Sequence, residues 1–466
     1  MKIGLVGQSY QARSLPFNAQ RTLNLFPVLD QEGKEVSALY GTPGLIDFAD
    51  TGVGPVREAF YAANGRAFVV SGSTLYEIDA AGNATSRGTI NQSTGNVSMA
   101  ENAGQLGICD GVNVYTLTYS DNSFARVTDT DLPEAGTLTV IDEYFVVNKL
   151  NSGQFFISNI ADGTDWAALD FATAESSPDK LLRVYNALGQ LWLFGERTTE
   201  IWTNTGSSLF PFERIAGAKI EVGILAPHTV EAVSGAVMWL GRDKFGYGIV
   251  YRASGFSPER LSNNAIEFAI QSATDLENIK SITYQIDGHT FYMLTGGGLK
   301  TSLVLDLTTG QWHERGFLND NGRIEPHLSS GHMVAFGKHI VGDRRNGKLY
   351  EMRMDAYTDA GEEILRERTY THLSNESQRQ RYNALEVGFE AGVGTQSGAG
   401  MNPTCSLEIS RDLGRTWSNS MTASIGKAGE YKNKVRFRRL GTCEDITFKV
   451  STTAPVKIAI IGSYLK

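Results

Sequence analysis

Short apolar runs that alternate with turn residues recur along most of the chain. Each instance consists of an apolar run typical of a strand, a turn rich in Gly, Asp or Asn, and a second strand that carries an aromatic residue. Seven instances are recognisable in the sequence. They begin at Gly65, Gly104, Asp142, Gly189, Gly235, Gly288 and Gly337.

The spacing of these instances is roughly 40–50 residues, which is the blade length of WD40 and kelch propellers. A single blade has an apolar face on each side, so it is stable only between neighbours in a closed ring. The pattern therefore predicts an all-β protein with a β-propeller of six or seven blades over residues 51–365. A pair of β-sandwiches is the alternative fold that the pattern leaves open.

Two stretches between the repeats have helical character and are expected to decorate the ring. The apolar residues of SNNAIEFAIQSATDLENIKSI fall on one helical stripe, and Asn263 or Asn264 can cap its start. The sequence DGTDWAALDF, which starts at Asp162, predicts one helical turn capped by Thr164 or Asp165.

The two ends of the chain differ from the repeats. Residues 1–50 are irregular, with a turn at Pro43-Gly44. We expect them to form an N-terminal arm or clasp that packs on a neighbour or supplies the strand that closes the ring. From about Arg366 the period stops, and residues 366–466 show the alternation of a C-terminal β-sandwich.

The amino-acid composition argues against several classes of protein. The chain has 466 residues and a formal net charge of −9, whereas a protein that binds DNA tightly carries a basic excess. Three scattered cysteines are too few for a disulfide framework and fit folding in a reducing cytoplasm. Because no run of about 18 apolar residues exists, the sequence predicts no membrane span.

Basic residues nevertheless cluster in three stretches. They cover residues 343–348 (DRRNGK), 366–381 (RERTYTHLSNESQRQR) and 432–440 (KNKVRFRRL). The simplest interpretation is that these stretches form solvated faces or ion pairs between subunits. Contact with nucleic acid is the alternative.

The sequence SRDLGRTWS resembles the Asp-box of sialidases and of many non-enzymatic β-proteins. Its motif residues are Ser410, Asp412, Gly414, Thr416 and Trp417. We expect the Asp412 carboxylate to accept backbone N–H bonds, Gly414 to adopt positive φ and Trp417 to pack beneath the turn. A sialidase also needs an arginine cluster, a tyrosine nucleophile and a carboxylic acid in one propeller. Since the motif occurs once and outside the propeller repeats, it predicts a structural turn.

No catalytic residue, cofactor or metal site is predicted. The seven histidines include no His-x-x-x-His pair with a nearby acidic ligand, which argues against zinc. The Gly-x-Ser-x-Gly motif of serine hydrolases is also absent from the sequence.

A family resemblance covers most of the chain. A series of segments, in order, resembles the packaged-DNA stabilisation protein of short-tailed bacteriophages, and it is most specific up to about residue 350. The segments are residues 18–30 (NAQRTLNLFPVLD), 38–45 (ALYGTPGL), 71–79 (SGSTLYEID), 95–111 (GNVSMAENAGQLGICDG), 155–181 (FFISNIADGTDWAALDFATAESSPDKL), 191–206 (LWLFGERTTEIWTNTG), 210–230 (FPFERIAGAKIEVGILAPHTV) and 239–262 (WLGRDKFGYGIVYRASGFSPERLS).

The resemblance implies a structural virion protein of the tail, made in the host cytoplasm and known as a tail nozzle, tail hub or tail accessory factor. It implies a homohexameric ring below the portal-adaptor that extends the DNA exit channel and helps to retain packaged DNA. The implied partners are this head-to-tail connector, a tail needle or plug, and a tailspike or tail fibre. Genome DNA would pass through the channel without tight sequence-specific binding, along an acidic or neutral wall.

Two other functions compete with this one. A propeller-based glycan-binding protein or glycosidase would have a pocket on the propeller axis with clustered arginines, tyrosines and carboxylates. A propeller interaction scaffold of the host would be a monomer without affinity for phage tail parts.

Overall fold

The computed structural model describes residues 2–4, 6–15, 18–29, 37–174, 179–244, 246–374, 376 and 378–466. Within these ranges the chain forms a ring of antiparallel sheets and a two-sheet sandwich beside it. The strands of each blade are lettered a to d from the axis outward.

The first four blades follow one another without interruption. Blade 1 contains Val56–Tyr61, Ala67–Ser71, Thr74–Ile78 and Ala84–Thr89. Blade 2 contains Ser98–Glu101, Gln105–Cys109, Val114–Thr118 and Phe124–Arg126. Blade 3 contains Ala135–Ile141, Tyr144–Lys149, Gln154–Asn159 and Asp162–Thr173. Blade 4 contains Leu181–Ala187, Gln190–Gly195, Thr199–Asn204 and Phe212–Ile220.

The last three blades carry additional short strands. Blade 5 contains Glu231–Val233, Ala236–Arg242, Tyr247–Ser254 and Ser257–Arg260, with Gly223–Ile224 also paired to its b strand. Blade 6 contains Ile279–Ile286, His289–Gly296, Ser302–Asp306 and Gln311–Leu318, with Ile324–Pro326 paired to its d strand. Blade 7 contains Ser329–Ala335, Lys338–Asp343, Lys348–Arg353 and Gly44–Asp50, followed by Thr358–Asp359 and Glu362–Glu363.

The ring has seven blades in the described part of the chain, and its closure uses the N-terminal segment. The a strand of blade 7 packs against Val56–Tyr61 of blade 1, which completes the circle. Gly44–Asp50 pairs antiparallel with Lys348–Arg353, placing Leu45 opposite Met352. The d strand of the last blade therefore comes from the beginning of the sequence.

Apolar cores fill the spaces between adjacent blades. Each blade is apolar on both faces because it must pack on two neighbours. Between blades 4 and 5, for example, Trp192, Phe194 and Trp239 are at most 1% exposed. The apolar runs that recur in the sequence are thus the residues that form the cores between adjacent blades.

The sandwich consists of two sheets, and both contain N-terminal strands. One sheet has the order Leu25–Leu29, Ser37–Gly41, Ala459–Leu465, Gln380–Phe389 and Val435–Cys443, with Lys2–Ile3 paired to Ala459–Leu465. The other has the order Ala19–Leu23, Arg366–Thr369, Asp445–Thr452, Thr404–Ser410 and Met421–Ser424, with Tyr10–Gln11 and Leu373–Ser374 at its margins. Leu23 also pairs in parallel with Glu314, so this second sheet continues blade 6.

Helical structure follows the prediction at one position and contradicts it at another. The helix Asn264–Gln271 begins after Asn263, whose side chain accepts hydrogen bonds from the N–H groups of Ala265 and Ile266. A 3-10 turn follows at Leu276–Asn278. The helical turn predicted at Asp162 is wrong, because this stretch is the d strand of blade 3. Pairing with Gln154–Asn159 and burial of Trp166 override its local helical character.

Candidate functional site

The turn after Thr404–Ser410 is held by one carboxylate. Asp412 Oδ1 accepts hydrogen bonds from the N–H groups of Arg415 (3.1 Å) and Thr416 (2.9 Å) and from Ser410 Oγ (2.7 Å). Its Oδ2 accepts from Thr416 Oγ1 at 2.6 Å. These bonds, led by that of the Thr416 hydroxyl, hold the pKa of the Asp412 carboxyl well below its usual range.

The remaining motif residues complete the same turn. Gly414 has φ +84° and donates its N–H to Ser410 Oγ at 2.8 Å. The indole of Trp417 is half-buried, and the Lys449 ammonium lies 4.6 Å from its ring centroid. Every polar atom described here is engaged in shaping the backbone, so the arrangement stabilises a turn rather than presenting groups to a substrate.

The predicted solvated character of the basic stretch 366–381 is wrong for its first two arginines. Arg366 and Arg368 are each only 1% exposed, and their guanidinium groups lie beside Gly41 and Gly7 of the N-terminal segment. Arg368 donates to Gln20 Oε1 at 2.6 Å and to Thr22 Oγ1 at 2.8 Å. The Arg368 guanidinium therefore joins the N-terminal segment to the sandwich, whereas Arg366 donates to Ala454 O at 3.4 Å within the sandwich.

The other two basic stretches differ in their surroundings. In residues 343–348, Arg344 pairs with Glu325 at 3.1 Å and Arg345 with Asp343 at 3.3 Å, both inside this chain. In residues 432–440, Arg438 and Arg439 are exposed. This stretch presents basic side chains to solvent on the edge of the sandwich, and so do Arg379 and Arg381 at the end of the stretch 366–381.

An axial cavity of about 250 Å³ lies between the inner strands of the propeller. Arg183, Tyr185, Glu58 and Glu231 line it, which are residue types that a sialidase also uses. Arg183 is the single arginine of this lining in the described part of the chain, so the arginine cluster expected of a sialidase is not formed. Burial raises the pKa of Tyr185 to about 12, which keeps its phenol neutral.

The described residues contain no group of three or more His, Cys, Asp or Glu side chains arranged to hold a metal ion. The three cysteines, Cys109, Cys405 and Cys443, are buried and unpaired. Among the helices of the described ranges, none has the length and apolar content to cross a membrane.

Sequence comparison accounts for both parts of the fold. Residues 1–357 match the family described as bacteriophage P22 Gp10, beta-propeller, and residues 366–466 match the one described as bacteriophage P22 Gp10, beta-sandwich. The chain belongs to the P22 Gp10 family. The resemblance to packaged-DNA stabilisation proteins is thereby confirmed, and so is the combination of a propeller with a C-terminal sandwich. Members of the P22 Gp10 family are structural proteins of the phage tail, which places this chain in the virion tail.

The solved structures that resemble this P22 Gp10 family member are distant from it in sequence. The N-terminal domain of Nup159 is 9% identical, with a TM-score of 0.45, 72% of this chain and 98% of that chain covered. YCF48 bound to D1 peptide is 14% identical, with a TM-score of 0.42 and coverages of 67% and 97%. The Cps50 (Swd1) beta-propeller domain of Myceliophteria thermophila is 9% identical, with a TM-score of 0.44 and coverages of 66% and 99%. At these scores the similarities support no functional conclusion. No curated protein matches the chain significantly.

Proposed function

We propose that this chain is the tail nozzle subunit of a short-tailed phage. Six copies form a ring below the portal-adaptor, extend the DNA exit channel and help to retain the packaged genome. The family match over both domains carries this proposal. The tail needle or plug would seal the lower end of the ring, and tailspikes or fibres would bind its sides. The protein is made in the host cytoplasm and acts without catalysis.

The physical properties of the subunit support this role. A channel under internal pressure needs a stiff wall, and a closed propeller with a packed core at each blade interface is stiff without disulfides. With a formal net charge of −9 the chain is repelled by phosphate backbones, so a duplex would slide along it. We therefore expect an acidic or neutral channel wall.

An apolar surface on blades 3 and 4 supports contact with another subunit. Leu188, between strands a and b of blade 4, is 55% exposed, and Leu209, between strands c and d, is 91% exposed. Ile160, between strands c and d of blade 3, is 61% exposed. Because successive strands alternate in direction, these three turns emerge on one face of the ring. Exposed apolar side chains on one face of the ring favour that face for a subunit contact, and a heterologous contact closes rings.

Electron microscopy of the full chain mixed with the portal-adaptor complex of its phage tests the proposal. We expect six-fold rings on the lower face of the adaptor, and their absence at saturating concentration would contradict the nozzle assignment. Leu209→Asp should reduce ring formation at least tenfold, because it removes the most exposed apolar side chain of the subunit contact. Ser208→Asp adds the same charge to the same loop and serves as the control. If Leu209→Asp forms rings as well as the control does, this face does not join the subunits.

A further inference from the structure

The axial cavity of the propeller is lined by several ionisable side chains. Its titratable lining residues come from four blades, namely Glu58, Arg183, Tyr185, His228, Glu231 and His332. A volume of about 250 Å³ accommodates several water molecules, since one water takes up about 30 Å³ in the liquid. It also accommodates one small anion with part of its hydration shell.

Arg183 is the group whose bonding is incomplete. Its Nε and Nη1 atoms are buried and have no hydrogen-bond partner. Its guanidinium carbon lies 5.6 Å from the ring centroid of Tyr185, which is a cation–π contact but not a counter-charge. No carboxylate among the described residues forms an ion pair with it. Because two of its three nitrogens are buried without a partner, a negative charge in the cavity would be the most favourable partner for the Arg183 guanidinium.

The carboxylates of the cavity are engaged elsewhere. Glu58 lies 3.4 Å from the Lys280 ammonium, so their charges cancel. Glu231 accepts hydrogen bonds from Ser281 Oγ at 2.8 Å and Thr283 Oγ1 at 3.3 Å. Burial raises the pKa of Glu231 to about 7, so it carries only part of a charge near neutral pH. The cavity therefore retains a positive charge that is largest when Glu231 is protonated.

The remaining ionisable neighbours do not cancel that charge. Burial, with Arg183 and Lys280 nearby, lowers the pKa of His228 well below its ordinary value, so its imidazole is neutral and can donate one N–H. His332 is held neutral in the same way, since burial lowers its pKa to about 3. Arg57 directs its guanidinium to backbone carbonyls, among them Gly95 O at 2.8 Å and Gly72 O at 3.0 Å.

We propose that the axial cavity of the propeller binds one small oxyanion, of the size of sulfate, phosphate or acetate, against the guanidinium of Arg183. A guanidinium is charged at all physiological pH values and prefers carboxylate and phosphate-like oxygens. Water could accept one N–H bond but would leave the charge uncompensated, and a cation would be repelled by Arg183 and Lys280. The bound ion would link the inner strands of blades 4 and 5 and stabilise the ring.

Calorimetric titration of the full chain with sodium sulfate, and separately with sodium acetate, at constant ionic strength tests this site. Sulfate does not titrate between pH 6 and 8, so its affinity reports the charge of the protein alone. We expect one site per chain, at least tenfold weaker binding in Arg183→Gln, and unchanged binding in Arg252→Gln. Arg252 is the matched control because it is an exposed arginine of the same propeller, paired with Glu259.

The pH dependence gives an independent criterion. Sulfate binding should tighten as the pH falls from 8 to 6, because protonation of Glu231 removes a negative charge beside the ion. Glu231→Gln should keep the binding and lose this dependence, which tests the site even if Arg183→Gln does not fold. The proposal is overturned if wild-type protein releases no heat of binding, if Arg183→Gln binds equally well, or if Glu231→Gln keeps the pH dependence. Crystals grown in selenate should show an anomalous peak beside Arg183, and a cavity that holds only water would also overturn it.

Discussion

The guanidinium of Arg21 and the carboxylate of Glu314 form an ion pair, with 3.0 Å between Nη2 and Oε2. It connects the N-terminal segment of the sandwich with the outer strand of blade 6. Glu314 also accepts hydrogen bonds from Ser9 Oγ at 2.7 Å and Thr301 Oγ1 at 2.9 Å. Two segments that are distant in sequence, residues 9–21 and 301–314, thus meet at one carboxylate, which makes this junction a polar link between propeller and sandwich.

We expect Glu314→Ala to lower the free energy of unfolding by about 2–3 kcal/mol. Removing one partner of a fully buried pair costs about 3–5 kcal/mol, and the Arg21 side chain is 21% exposed, which reduces the loss. The control is Glu259→Ala, which removes the partner of an exposed arginine and should cost at most about 1 kcal/mol. Urea unfolding monitored by fluorescence measures both. Equal losses in the two variants would show that the junction adds no stability.

Leu45 and Ile46 are neighbours on the strand that closes blade 7, and they point to opposite faces. Leu45 is fully buried, whereas Ile46 is 41% exposed. Leu45→Ala should cost about 2–5 kcal/mol, because it leaves a cavity in the core between blades 6 and 7. Ile46→Ala should change stability by at most about 0.5 kcal/mol. Similar midpoints of urea unfolding for the two variants would contradict the pairing of this strand.

The sandwich turn gives a local prediction. Asp412→Ala removes the acceptor of the Arg415 and Thr416 N–H groups, so the connection between residues 410 and 421 should be cleaved faster by proteases. Asn419→Ala, in the same connection, should leave the cleavage rate unchanged. Since the pKa of Asp412 is depressed in the folded protein, its contribution is complete above its unfolded pKa of about 4. The contribution is lost as the pH falls through the lower folded value, so the wild-type turn should remain resistant at pH 5.

His313 should make the protein sensitive to mild acid. It is fully buried, neither ring nitrogen has a hydrogen-bond partner, and burial lowers its pKa to about 3. Below about pH 6.5 the His313 imidazole binds a proton in the unfolded chain but stays neutral in the folded protein. The free energy of unfolding therefore falls by up to about 1.4 kcal/mol per pH unit between pH 6.5 and 4. His313→Leu should remove this part of the slope. Phe291→Leu changes a neighbouring ring without a titratable group and should leave the slope intact.

Local sequence patterns were sufficient to predict those parts of the fold that are formed by residues close together in sequence. The blade repeat is visible because each hairpin has its own apolar runs and turn. The helix at Asn264–Gln271 is visible because its cap, Asn263, stands directly before it. The number of blades was not determined by the sequence, since the fourth strand of blade 7 lies about 300 residues upstream of its partner Lys348–Arg353.

Other features depend on contacts that no local pattern records. Trp166 is drawn into the interface of blades 2 and 3, which turns a helical-looking stretch into a strand. Arg366 and Arg368 have the charge of surface residues, and they are buried because the distant N-terminal segment packs on them. Arg183 lies in an ordinary strand sequence, LLRVY, and gains its significance from carboxylates and imidazoles on other blades.

The strand Gly44–Asp50 completes the seventh blade, and Lys2–Ile3 pairs with the strand Ala459–Leu465. A growing polypeptide cannot make either pairing until the distant partner has left the ribosome. At about 5–20 residues per second, the early strands wait for tens of seconds with their apolar side chains uncovered. The rate of translation thus sets how long the early strands stay uncovered, and we expect the nascent chain to depend on chaperones until the ring closes.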